Sequence, residues 1–122
     1  MKRIATSRSP CQLATRQRSA LQRTAVSRAY YATFNLCRDW IETHGVTIPN
    51  KGAHKALWDA YGAGDGVDSA GAADAAAIGG YGRWLSKRRN ACDYDVLDLD
   101  KVTKGALKRA HLVVNVLLPE LR

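Results

Sequence analysis

Between Pro10 and Gly45 the chain meets neither glycine nor a second proline, and this unbroken stretch most narrows the folds open to it. Within it Leu21, Ala25, Ala29, Ala32, Leu36 and Trp40 recur at spacings of three and four, while Tyr30, Phe34, Cys37 and Ile41 form a second, adjacent stripe. That period belongs to a helix. Two apolar stripes call for neighbours on both sides, so the spacing predicts the central helix of a bundle. The run reads as one long helix or as a short one kinked into a longer one near residues 18–22. Pro10 suits its first turn, and His44-Gly45 closes it, with the glycine as left-handed cap.

The remaining elements are shorter. Residues 46–51, with Pro49 and Asn50, read as a loop, followed by a helix over roughly 52–62 that carries Ala53, Ala56, Leu57, Ala60 and Tyr61 on one side and stops at Gly62 and Gly64. After a flexible connection over 63–67, Asp68 or Ser69 can cap an alanine-rich helix running to about Cys92, with Ala77, Ile78, Tyr81 and Leu85 facing inward. Gly71, Gly79 and Gly80 weaken it by about 1 kcal/mol each relative to alanine. Either the helix starts late or those glycines permit close packing. Asp95 to Asp98 read as a turn, and Asp98 or Asp100 as the cap of a last helix. Val102, Ala106, Ala110, Val113, Leu117 and Leu121 share one face of that helix, widened by Leu107, Val114 and Leu118. No strand pattern or internal repeat occurs. The expected fold is therefore all-α, a four- to five-helix, largely antiparallel bundle. Residues 10–122 form a single domain, because 122 residues suffice for one core and not for two. Residues 1–9 are polar, basic and without periodicity, so they read as a disordered arm unless a partner orders them.

Nineteen lysines and arginines against eleven acidic residues leave a formal charge of +8, with a pI near 9.8. Such an excess favours encounter with a polyanion, although solvated helix faces and a basic tail account for it equally well. Cys11, Cys37 and Cys92 contain no CxxC pair and keep no metal-ligand rhythm with His44, His54 or His111, so neither a structural zinc nor another cofactor is expected. Cys37 lies on an apolar stripe and reads as a small buried hydrophobe. No apolar run has the length of a signal peptide core or a membrane span. The expected setting is cytoplasmic, away from membranes, with reduced thiols.

The densest chemistry lies in Lys87-Arg88-Arg89-Asn90-Ala91-Cys92-Asp93-Tyr94-Asp95, where three cations meet two carboxylates, a thiol and a phenol at helical spacing. A guanidinium forks onto phosphate oxygens and keeps its charge, which makes Arg88 and Arg89 candidates for holding a phosphodiester, with Lys87, Asn90 and Arg28 as further phosphate contacts. Metal-free cleavage of RNA also needs a base for the 2′-hydroxyl proton and an acid for the leaving oxygen. Asp93 and Tyr94 are the candidates. Asp93 can act as base only if burial raises its pKa, whereas an adjacent arginine lowers it. The competing structural reading pairs Arg89 with Asp93 at i,i+4, bridges Arg28 to Asp93 or Asp95, and makes Tyr94 an anchor for the following turn. Tyr30 and Tyr31, being consecutive, point in different directions, one into the core. His54 opens the short helix and reads as a surface histidine that could reach a site from another element.

Three blocks, Arg23-Thr24-Ala25-Val26-Ser27-Arg28-Ala29-Tyr30-Tyr31-Ala32-Thr33-Phe34, Gly52-Ala53-His54-Lys55-Ala56-Leu57 and Arg88-Arg89-Asn90-Ala91-Cys92-Asp93-Tyr94-Asp95, resemble in order and spacing the HEPN domain family, over roughly residues 12–120. The resemblance implies an all-α bundle, usually a homodimer, of the kind found in prokaryotic toxin-antitoxin and antiviral defence systems. Many such proteins are metal-independent ribonucleases encoded beside a minimal nucleotidyltransferase antitoxin, so the implied partners are RNA, a second copy of the chain, and a nucleotidyltransferase or acidic antitoxin. The family motif is an arginine followed after four to six residues by histidine. This chain departs from it, with no histidine in 83–98. With four residues between, Arg88 is followed by Asp93 and Arg89 by Tyr94. In the family variant that ends His, one residue, Tyr, the positions fall on Lys87, Cys92 and Tyr94. That register implies Tyr94 as an acceptor for nucleotide modification. A catalytically silent bundle that binds a nucleotide or scaffolds a nucleotidyltransferase is the alternative.

Overall fold

The computed structural model describes residues 10–90 and 96–121. The expected arm over residues 1–9, and Cys92, Asp93, Tyr94 and Asp95, lie outside the described residues. Four helices pack together: α1 (Pro10–Thr43), α2 (Ala53–Ala63), α3 (Ala72–Asn90) and α4 (Val96–His111). Among the described residues there is no strand. The long run is a single helix with no break near residues 18–22.

Glycines mark the boundaries where the backbone must turn left-handed. Gly45 follows α1 at φ 92°, Gly52 precedes α2 at φ 72°, and Gly64 ends it at φ 76° while its N–H reaches back to the carbonyls of Ala60 and Tyr61. Gly62 lies inside α2 rather than at its end. Asp68 caps the next segment, its Oδ1 accepting from the Gly71 N–H at 3.1 Å, and a 3₁₀ turn over Ser69–Gly71 leads into α3. The last helix begins at Val96, so Asp98 and Asp100 fall within it instead of capping it. Asp100 accepts a hydrogen bond from Gln22 of α1. Beyond His111 the helix widens into a π-helical stretch over Leu112–Leu117 before a final turn, Leu118–Glu120. Pro119 lacks the N–H that a regular α-turn would direct at the carbonyl of Asn115, which fits the altered pattern there.

The core gathers Val26, Tyr30, Phe34, Cys37 and Ile41 from α1 with Leu57, Trp58 and Tyr61 from α2, Ile78 and Leu85 from α3, and Ala106 and Val113 from α4. The helix α3 touches every other element. On α1 the stripe containing Tyr30 is covered; on the other, Trp40 packs against the core while Leu21 is 71 % exposed and Leu36 46 %. The expectation of neighbours on both sides of α1 thus fails within the subunit. Side chains of α2, α3 and α4 together bury one face of α1, and the alanines of the second stripe offer too little area to demand a full cover of their own.

The seam between α2 and α3 explains the α3 glycines. A β-carbon on Gly79 would stand 2.9 Å from both the Gly62 nitrogen and the Trp58 carbonyl oxygen, so these two backbones approach as closely as glycine permits. One turn on, a β-carbon on Gly82 would overlap the Trp58 indole itself. Gly80 faces open space. The cost of two glycines in α3 is offset by seating a tryptophan that is 1 % exposed.

Candidate functional site

Trp58, fixed on that glycine seat, donates from Nε1 to the hydroxyl of Tyr30 at 3.2 Å. The same hydroxyl lies 2.5 Å from Nδ1 of His54, one turn earlier on α2, and Ser86 of α3 stands close enough to help lower its pKa. Three helices therefore meet at one phenol. The indole can only donate, so the phenol's own proton is left free for the imidazole. Burial raises the Tyr30 pKa, against the lowering effects of the Trp58 and Ser86 hydrogen bonds and the Arg89 charge, so the phenol stays protonated. When that proton points away from the imidazole, the phenol oxygen accepts from Nδ1–H of His54, and Nε2 is then the bare nitrogen of a base. When it goes to His54, Nε2 carries a proton and donates.

Arg89 closes the group from the end of α3. Its guanidinium carbon lies 5.1 Å from the ring centroids of both Tyr30 and Tyr31, and one terminal nitrogen donates to the Tyr31 hydroxyl at 3.1 Å. Nε of Arg89 is buried and has no hydrogen-bond partner among the described residues. Among the described residues the charge faces aromatic rings and no carboxylate. His54 stacks on Phe34, with centroids 4.3 Å apart. Its pKa is pushed down, first by burial and then by the charges of Arg89 and Arg38, so the imidazole is neutral near pH 7.

Beside this group opens a cavity of about 350 Å³ lined by His54, Lys55, Trp58, Asp59, Arg83, Ser86 and Lys87. Asp59 pairs there with Lys55 at 2.6 Å and Arg83 at 2.7 Å, and these contacts hold its carboxyl below the usual range. Lys87 meets no carboxylate among the described residues. The rim is therefore net positive, with a neutral imidazole on one wall.

Of the residues expected to act together, Arg89 reaches the aromatic group and Lys87 the cavity beside it, whereas Arg88 turns away and stacks over Trp84 at 4.5 Å. Arg28 is exposed on α1, outside the Arg89 group. Asn90 is the last residue of α3. The suggested partners Asp93 and Tyr94 fall outside the described residues. Lys87, Arg88 and Arg89 also occupy the last turn of their helix, where cations offset its unpaired carbonyl ends, an ordinary structural reason for their presence. Sequence reasoning did not assign Tyr31, Trp58 or Ser86 to a site. His54 reads from sequence as a surface histidine that could reach a site from another element, and its place in the first turn of α2 is the available signal. Among the described residues no cluster of three or more His, Cys, Asp and Glu side chains could hold a metal ion, and no helix is long and apolar enough to cross a membrane. Comparison with protein-family models, with curated proteins and with solved structures returned no match for this chain.

Proposed function

We propose that this chain is a HEPN-type RNA-binding protein that cleaves RNA without a metal ion, as the toxin or effector half of a prokaryotic toxin-antitoxin or antiviral defence module. The observation that supports this most is the convergence of Arg89 and His54, from α3 and α2, on the hydroxyls of Tyr30 and Tyr31 at the edge of a positively charged cavity. An arginine and a histidine are the pair that the family resemblance calls for, and here the imidazole comes from another helix.

In this reading Nε2 of His54 takes the proton of a ribose 2′-hydroxyl. The freed oxygen attacks the adjacent phosphorus, and the bond to the 5′-oxygen breaks as that oxygen gains a proton, leaving a 2′,3′-cyclic phosphate and a 5′-hydroxyl. Arg89 neutralises the charge that builds on the phosphate oxygens. Tyr31, whose oxygen accepts from Arg89, has its own proton free for a phosphate oxygen, and Asp93 and Tyr94 remain candidates for returning the proton to the leaving group. A homodimer belongs to the same proposal, with the uncovered Leu21, Ala32 and Leu36 of α1 as the face for a second copy, and a nucleotidyltransferase or acidic antitoxin as a further partner.

The test is incubation of the pure protein with total RNA in EDTA, beside Arg89→Ala and His54→Ala, with light scattering for the dimer. Cyclic phosphate ends produced by the parent, and reduced at least about a hundredfold in both variants, are expected. One observation favours a second reading: His54 is stacked on Phe34 and already engaged through Nδ1, as a structural histidine would be. Stoichiometric binding of a nucleotide or a nucleotidyltransferase without any cleavage would establish a silent bundle instead.

A further inference from the structure

Arg88 and Arg109 converge on one indole. Arg88, on α3, places its guanidinium carbon 4.5 Å from the centroid of Trp84, and Arg109, on α4, does so at 3.9 Å. Gly105 makes room for this, since a β-carbon there would lie 3.0 Å from a terminal nitrogen of Arg109 and 3.1 Å from the Trp84 ring. The Gly105 carbonyl accepts one hydrogen bond from Arg109 at 3.2 Å. No carboxylate among the described residues pairs with either arginine.

Two permanently charged groups drawn to one ring repel each other, and the ring face offsets that repulsion only in part. Each guanidinium carries five N–H donors in a plane that stacking leaves open at its edge. Such a pair is satisfied by an anion that accepts several hydrogen bonds at once, and a phosphodiester has that chemistry. Helical geometry turns Arg88 roughly 100° from Arg89 about the axis of α3, so the two contacts lie on different sides of one helix.

We infer that Arg88, Trp84 and Arg109 form a second phosphate-binding site, which grips an RNA backbone away from the Arg89 and His54 group and takes no part in proton transfer. This rests on the RNA-binding reading above. It assigns the substrate class as a strand long enough to lie across α3 rather than a mononucleotide.

The measurement is fluorescence anisotropy with a labelled single-stranded RNA 20-mer at several salt concentrations, comparing the parent, Arg88→Gln/Arg109→Gln, the charge-keeping Arg88→Lys/Arg109→Lys, and Arg89→Gln, with circular dichroism on each. Losing two phosphate contacts should flatten the slope of log Kd against log salt by about 1.4, at about 0.7 per contact on single strands, and weaken binding at low salt about tenfold or more. The lysine pair should keep the slope, which preserves the test if the glutamine pair does not fold. A parental slope in the glutamine pair, or a lysine pair with a flattened slope, would overturn the second site, while a change in Arg89→Gln alone would leave the RNA-binding reading standing. Failure of the parent to bind the 20-mer at any salt would sink both, and so would capture of a poly-glutamate peptide in its place.

Discussion

Arg88 and Arg89 are neighbours in the chain and strangers in the fold. Arg89 lies among two tyrosines, with an imidazole whose proton affinity it depresses, so its surroundings include groups that can give and take protons. Arg88 lies over an indole shared with another arginine, so its contacts are a ring and a second permanently charged group. In the proposed reading one side of α3 acts on an anion and the other only holds it. Consecutive cations on a helix are thus separate devices, and their adjacency in sequence says little about whether they share a ligand.

The sharpest break of this contrast is kinetic. Arg89→Ala should lower single-turnover cleavage at saturating RNA at least about a hundredfold, a loss of about 3 kcal/mol at the transition state. Arg88→Ala should leave that rate nearly unchanged and weaken affinity alone. Equal effects on rate would erase the distinction. Next in size, Gly82→Ala forces a methyl group into the Trp58 ring and should cost about 2–3 kcal/mol in urea denaturation, whereas Gly80→Ala, facing open space, should add up to about 1 kcal/mol. Tyr30→Phe leaves the Trp58 N–H and His54 Nδ1 without their shared partner, for a loss of about 1–2 kcal/mol by the same measurement.

The smallest effect is electrostatic. Burial first, and Arg89 second, lower the His54 pKa in the folded state. Between that lowered value and about 6.5, the unfolded chain binds more protons, so stability falls as pH drops through this window and levels off below it. Arg89→Gln should raise the His54 pKa in an NMR titration and shrink the fall, while Arg88→Gln should do neither. A shift of similar size from Arg88→Gln would mean that the two sides of α3 are not electrically distinct.

Much of the architecture was legible because glycine and aspartate act locally. Gly45, Gly64 and Asp68 end or begin helices through their own backbone and side-chain geometry, with no help from distant residues. The inward faces of α2 and α3 followed from apolar spacing for the same reason. The phase of α1 was harder, because a stripe of alanines looks alike whether covered or bare. Asp98 or Asp100 reads as a cap because aspartate favours helix N-termini, yet both fall inside α4, which begins at Val96. The site was the least readable part. A guanidinium over a ring leaves no spacing rule in the chain, and His54 meets Tyr30 only after α2 is drawn onto α3 by Gly79 and Gly82.

The side chain of Tyr30 stands where three helices meet, and this has a bearing on how the protein tolerates change. Any substitution that tilts α2 by a fraction of an ångström alters the angle at which the imidazole meets the phenol oxygen, even when made on the far side of the seam. The ionisation of His54 is thereby a gauge of interhelical fit, and variants with intact folds but loosened seams should reveal themselves as drifting titration curves.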